Sequence, residues 1–321
     1  MEQRRLGRSG LRVSRMALGT MSWGTDTDPE EAASQLVAFI DAGGTLVDTA
    51  DIYGEGESER VLGSLLGDLV PRDDVVLATK AVARRTEGPF GGGASRGALL
   101  SALDGSLRRL GVDHVDLWQL HAWDGTVPIE ETLAALDFAV GSGKVRYVGV
   151  SNYSGWQLAT AAASRTTNPI VSSQVEYSLV QRGVEREVVP AAAHHGIGLL
   201  PWAPLGRGVL TGKYRSGTPA DSRGASGTYA GYVEQHRTDR AARIVEAVAT
   251  AADGLGTSPL VVALAWVRDR PGVVAPVVGA RDTGQLTGSL AADEITLPPA
   301  IKAALDDVSG IDFGYPERWP K

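Results

Sequence analysis

The sequence predicts an α/β protein of the (β/α)8 TIM-barrel class, with an N-terminal β-hairpin and a long loop after the seventh strand. Two observations carry this prediction. Eight short apolar, β-branched runs recur along the chain, mostly continuous rather than alternating, as in strands covered on both faces. Helical stretches with recognisable starts separate them, and strict strand–helix alternation implies parallel βαβ units. Eight such units close a barrel; an open six- or seven-stranded sheet is the alternative.

The elements follow in order. "QRRLGRSGLRVS" reads as two short strands about a Ser9-Gly10 turn, a hairpin placed to close the barrel floor. The barrel strands are expected at 15–20, 45–50, 75–81, 115–121, 145–151, 171–177, 197–204 and 273–280. "TDPEEAASQLVAFIDAGG" starts a helix with Asp28 as N-cap, Pro29 in the first helical position and two glutamates in the first turn, and ends it with glycines. Pro128 and Pro259 repeat that grammar in two later helices. Residues 205–235 are polar, rich in Gly, Ser, Arg and Tyr, and too long for a simple connection, so they are a candidate functional loop. The irregular aromatic tail "GIDFGYPERWPK" is placed to cover one end. No repeat, linker or low-complexity segment divides the chain, so residues 1–321 read as a single domain.

The net charge of −7 argues against a nucleic-acid groove or an anionic membrane surface as partner. The absence of cysteine excludes disulfides, thiolate metal sites and cysteine nucleophiles, and fits a reducing compartment. No apolar run approaches the ~18 residues of a membrane span, and the N-terminus lacks the apolar region of a signal peptide. A cytoplasmic location is the expectation. No metal-ligand spacing is present, so no metal site is expected.

Active sites of such barrels lie at the carboxyl ends of the strands. Reading those ends gives Thr20, Asp48, Lys80, His121, Ser151-Asn152, Gln174, Trp202 and Arg281, with Tyr53 in the loop after the second strand. An aspartate, a lysine, a histidine and a nearby tyrosine together make a proton-donating device. A free phenol titrates near ~10; a lysine ammonium beside it lowers that value, and an aspartate holds the lysine charged and oriented. A histidine facing the same spot orients and polarises a carbonyl oxygen. No nucleophile has a partnered base, and nothing in the chain reduces carbon, so a hydride must come from a bound cofactor.

These motifs resemble the aldo-keto reductases. "DTADIYGEGESERVLG" is similar to that family's D-x-A-x-x-Y-G segment, "LATK" to its lysine strand and "LWQLHAWD" to its histidine strand; the likeness runs from about residue 2 to about residue 295. The resemblance implies a catalytic tetrad of Asp48, Tyr53, Lys80 and His121, with Tyr53 as general acid in reducing an aldehyde or ketone. It implies that Ser151, Asn152 and Gln174 hold the nicotinamide carboxamide and that Trp202 stacks on the ring. "PWAPLGRGVLTGKY" would run past the pyrophosphate, bringing Pro204, Leu205, Gly206, Gly208 and Lys213 to it, while Gly19, Thr20 and Met21 join the same site. Gly279, Arg281 and Gln285 of "GARDTGQL" would meet the adenosine phosphate. Gly288 and Ser289 stand where the family often has an acidic residue and Asn.

Arg223 is a further candidate clamp on cofactor phosphate. Because Arg281 offers a fork for a 2′-phosphate, NADP(H) is expected over NAD(H), although Asp282 follows it directly. Trp23 and Trp123 follow the first and fourth strands and are read as an apolar substrate wall, with rim packing as the alternative. Tyr229, Tyr232 and Trp319 are weaker aromatic candidates, and His194 and His195 read as structural. The expected partner is a small-molecule carbonyl substrate. Two other functions use the same residues: a Schiff-base lyase or aldolase with Lys80 as nucleophile, and a slow-turnover, nicotinamide-sensing regulatory protein. An amine held charged by an aspartate is a poor nucleophile, which weighs against the first.

Overall fold

A computed structural model describes residues 1–164, 167–220, 222–226 and 230–318. Tyr229 and Trp319 lie outside the described residues, as does the side chain of Arg223. Strands β1 (Gln3–Arg5) and β2 (Arg12–Ser14) pair antiparallel. The turn is wider than Ser9-Gly10: the Leu6 amide donates to the Leu11 carbonyl, and the Ser9 hydroxyl donates to the Leu6 carbonyl.

Eight parallel strands follow: β3 (Ala17–Gly19), β4 (Leu46–Asp48), β5 (Val76–Ala81), β6 (Val115–Leu120), β7 (Val145–Ser151), β8 (Ile170–Glu176), β9 (Gly198–Trp202) and β10 (Val277–Val278). They neighbour one another in chain order, with β10 beside β3. A bridge between Leu199 and Val273 joins β9 to the segment before β10, making a nearly closed (β/α)8 barrel. The expected eighth strand is therefore divided. Residues 273–274 serve β9 and residues 277–278 serve β3; Pro276, which has no N–H to give a ladder, stands between them.

Helices α1 (Pro29–Asp41), α2 (Glu57–Leu65), α3 (Arg96–Leu110), α4 (Ile129–Gly141), α5 (Gly155–Ala163) and α6 (Val188–His195) each follow one strand, beginning with β3. After β9 come the short α7 (Ala230–Glu234), then α8 (Asp239–Leu255) and α9 (Pro259–Arg268); α10 (Thr283–Leu290) follows β10 and α11 (Pro299–Val308) ends the fold. Asp28 and Ser258 cap α1 and α9, each ahead of a proline in the first turn. Pro128 differs: it is itself the N-cap of α4.

Strand parity decides what faces the barrel interior, because side chains alternate with period two. Leu46, Ala78 and Leu117 belong to a buried interior cluster, which the hairpin residues Leu6 and Val13 close from below. Val47, Leu77 and Trp118 belong instead to the larger cluster that packs against the helices. Two residues above the inward-facing set come Asp48, Lys80 and Gln119, and two above Gln119 comes His121. The polar site is thus the next storey of the apolar core. The tail after α11 is tied down by Arg186 to the Asp312 carbonyl and by Arg240 to the Ser309 carbonyl. Tyr315 of the expected covering tail stays 84% exposed, and residues 319–321 lie outside the described residues.

Candidate active site

Asp48 ends β4 with 2% exposure, and Lys80 in β5 is fully buried. The Lys80 ammonium donates to Asp48 Oδ2 at 2.5 Å, to the Thr49 carbonyl at 2.9 Å and to the Tyr53 hydroxyl at 3.3 Å. Tyr53 opens a short 3-10 turn, Tyr53–Gly56, held by its own amide to the Ala50 carbonyl. His121 follows β6, its amide donating to the Ala81 carbonyl, and its ring meets the Tyr53 ring edge-on with centroids 6.0 Å apart. Four side chains from three consecutive strand ends therefore converge.

Burial and neighbouring charges together set the charge states of Tyr53, Lys80 and His121. It pushes the Tyr53 phenol above its ordinary value, and Asp48 adds to the rise; Lys80 pulls the other way without prevailing. The expected lowering by lysine is therefore corrected: in a site this dry, the cost of baring a phenolate is the larger effect. For Lys80, burial opposes the charge, but Asp48 and Tyr53 outweigh it, and the ammonium is held above the usual lysine value. His121 is pushed down to about 3 by burial and by the Lys80 charge, so its imidazole is neutral. Its Nδ1 is buried and has no hydrogen-bond partner among the described residues.

Asp48 has further support that the sequence reading missed. Its Oδ1 accepts from Gln119 Nε2 at 3.3 Å and from Gln174 Nε2 at 3.0 Å, and Gln119 Oε1 accepts from the Ser172 hydroxyl. Gln119 occupies the inward parity of β6, which is the signal that could have found it.

Tyr53 and His121 open into a cavity of about 600 Å³. Its lining brings together Gly19, Met21, Asp48, Ser151, Asn152, Gln174, Trp202, Pro204, Leu205, Gly208, Lys213, Gly279, Arg281 and Gln285 from the sequence-predicted set. Asn152 has a left-handed backbone at φ 58° and its side chain joins two neighbours: Nδ2 donates to the His121 carbonyl, and Oδ1 accepts from Trp202 Nε1 at 3.0 Å. The Ser151 hydroxyl is buried and has no hydrogen-bond partner among the described residues. An orphaned hydroxyl beside an amide-rich strand end and an indole face fits a carboxamide-bearing ring.

Several expected residues do not reach the cavity. Trp23 is wholly buried, its indole N–H donating to Gln35 of α1 at 3.0 Å, so it is core rather than substrate wall. Trp123 packs edge-on against Tyr153 and Trp156 and lies outside the lining. Thr20 is buried, bonded to the Asp48 carbonyl and Ser58. Gly206 makes the turn after β9 without lining the cavity. Conversely, Arg207 and Tyr232 do line it. The Arg207 guanidinium lies 3.4 Å from the Tyr232 ring centroid and pairs with Glu176 at 3.1 Å, and Glu176 also meets His236 at 2.9 Å. No local motif marks Arg207, because its partners come from β8 and α7.

Comparison with known proteins agrees with this geometry. Residues 15–309 match the aldo/keto reductase family. The chain is 38% identical to the uncharacterized oxidoreductase YrpG of Bacillus subtilis (strain 168), over 96% of each chain. It is 36% identical to a probable voltage-gated potassium channel subunit beta of Oryza sativa subsp. japonica, over 99% of this chain and 98% of that one. It is 32% identical to the putative aryl-alcohol dehydrogenase AAD14 of Saccharomyces cerevisiae (strain ATCC 204508 / S288c), over 96% and 86%. With barrel, strand-end site and matching sequence in agreement, the chain belongs to the aldo/keto reductase family, oxidoreductases that generally reduce carbonyl groups with nicotinamide cofactors.

Proposed function

We propose that this protein reduces an aldehyde or ketone to an alcohol with NADPH, and that Tyr53 gives the proton. The observation that carries the reading is the Asp48–Lys80–Tyr53 chain, with a neutral His121 facing the same phenol. When bound, the cofactor supplies the hydride. Ser151, Asn152 and Gln174 would hold its carboxamide, Trp202 its ring, and Lys213 and Arg281 its phosphates, all on the cavity wall. Neutral His121 donates a hydrogen bond to the substrate oxygen and draws charge onto it. The Tyr53 hydroxyl passes its proton to that oxygen as charge develops, and the Lys80 ammonium, 3.3 Å away, stabilises the phenolate left behind.

Beyond the residues given to the cofactor, Tyr232 and Met21 add an aromatic and an apolar face to the cavity wall, and the yeast relative carries an aryl-alcohol name. Aromatic aldehydes and ketones are therefore the first substrates to try. The test follows NADPH absorbance across a panel of carbonyl compounds with the wild type and Tyr53→Phe. Turnover should fall by ~10²-fold or more in Tyr53→Phe, with cofactor affinity kept. Full activity in that variant removes Tyr53 from the mechanism.

A further inference from the structure

Beneath the turn that carries Tyr53 lies a buried group of charges that the chemistry above does not use. Asp51, 2% exposed, follows Asp48 by three residues, and its amide donates to the Lys80 carbonyl. Its Oδ2 lies 2.9 Å from Arg85 Nε, yet that N–H is out of line and, among the described residues, neither carboxylate oxygen receives a hydrogen bond. Glu59 of α2, fully buried, accepts from the Thr79 hydroxyl at 2.6 Å and from Arg109 Nε at 2.7 Å.

Two glycines show how closely the turn bears on this group. A Cβ on Gly56, at the end of the Tyr53 turn, would stand 2.7 Å from Arg109 Cδ. A Cβ on Gly105, in the middle of α3, would stand 3.1 Å from one Arg109 nitrogen and 3.6 Å from an Arg85 nitrogen. Both guanidinium groups thus lie over the same bare stretch of α3, and Gly56 rests on one of them. Mid-helix glycine costs about 1 kcal/mol relative to alanine, so the room it makes here has a use.

Arg85 arrives on the loop after β5, which leaves the strand through Val82 at φ 110°. That backbone is strained for a β-branched residue, and such strain persists only where surrounding contacts hold it. The loop closes through the Arg85 amide to the Gly91 carbonyl and the Gly93 amide to the Val82 carbonyl.

We propose that Asp51 is a positioning residue for Tyr53: with Arg85, Glu59 and Arg109 it seats the turn bearing the phenol and ties it to the loop 82–94. The proposal rests on Tyr53 being the acid. A buried pair whose only directed bonds are missing is poor stabilisation, since apolar residues of similar volume would serve stability as well or better. What the pair does provide is a link between two segments of the barrel rim, each holding an unusual backbone next to the catalytic groups.

The link responds to pH. The charges facing Asp51 are Arg85 from the loop, Glu59 from α2, Arg109 from α3 and Lys80 from β5. Burial raises the Asp51 carboxyl to about 7, with Arg85 opposing and Glu59 assisting. Below that value Asp51 is neutral and Arg85 loses its counter-charge; above it the pair forms and the turn is seated.

The experiment measures reduction of para-nitrobenzaldehyde by NADPH with the full chain, between about pH 5.5 and about pH 8.5. Wild-type kcat should fall roughly tenfold as the pH drops through 7, as expected for a one-ångström misplacement of a reacting group or less. Asp51→Asn should show the low kcat at every pH, with the NADPH KM changed by less than about twofold. Arg85→Lys should restore most of the wild-type profile and Arg85→Met should not. A second readout needs no turnover: the ultraviolet phenolate signal of Tyr53, taken as the difference between each background and its Tyr53→Phe counterpart, should shift its midpoint in Asp51→Asn. If the wild type reduces no carbonyl, the functional reading fails, and the phenolate shift alone decides the seating. An Asp51→Asn protein with wild-type kcat, pH profile and phenol titration overturns the proposal. So does a loss that merely tracks the folded fraction with the acid limb intact. Should Asp51→Asn not fold, equal profiles for Arg85→Lys and Arg85→Met overturn it.

Discussion

At the level of single residues, the site is governed by burial. The same burial that drives His121 down to about 3 drives the Tyr53 phenol up. Both effects favour the neutral form, and both suit reduction: a neutral imidazole donates to the carbonyl without competing as an acid, and an un-ionised phenol holds a proton to give. The pH dependence follows in sign. A general acid works while protonated, so kcat for reduction should fall as pH rises through the phenol's raised value, with a midpoint above the ~10 of a free tyrosine. His121 should add no acid limb above about pH 4, since it stays neutral there. A basic limb centred near neutrality, measured as kcat against pH, would mean that Lys80 dominates after all. The residues of the proposed tetrad were legible, because an aspartate, a lysine and a histidine end three apolar runs in succession, with a tyrosine in the adjoining loop. Their charge states were not, because desolvation depends on neighbours distant in sequence.

At the level of elements, helix starts and strand parity explain which polar groups reach the cavity. Asp282 is the N-cap of α10: its carboxylate accepts from the Gln285 amide at 2.8 Å and from Gln285 Nε2 at 2.6 Å. It is thereby committed to the helix, while Arg281 next to it lines the cavity. On the proposed reading, Arg281 would present a cation, not an acid, to the adenosine end of the cofactor. Arg281→Ala should weaken NADPH binding by about 1.5–3 kcal/mol and leave NADH nearly unchanged, as measured by cofactor titration. Equal losses for both cofactors would move the phosphate contact elsewhere. The loop after β9 was recognisable by its length and composition. That Arg207 would join Glu176 and Tyr232 there was not, since ion pairing and ring stacking across β8 and α7 leave no local pattern.

At the level of the whole molecule, chemistry and stability occupy opposite ends of the barrel. The hairpin places Leu6, fully buried, against the interior cluster at the floor, far along the strands from Tyr53. Leu6→Ala should cost about 2–5 kcal/mol of stability by leaving a cavity, with kcat unchanged in the folded protein. Denaturant unfolding alongside turnover checks this; a matching loss of kcat would show that the floor and the site are coupled.

The amino-acid sequence determined the eight-unit barrel, the hairpin and the candidate tetrad, because each leaves a local trace: an apolar run, a cap, or an ionisable group at or just beyond a strand end. Tertiary structure alone decided the rest. Trp23 and Trp123 follow strands in the same way, yet one is drawn inward to Gln35 and the other sideways to Tyr153 and Trp156. Pro276 splits the last strand because β9 and β3 need its two halves at different places. Gln119, Asp51 and Arg207 acquire their roles only from partners tens of residues away. Packing and desolvation act between segments, and a one-dimensional pattern carries the position of a side chain but not the company it keeps.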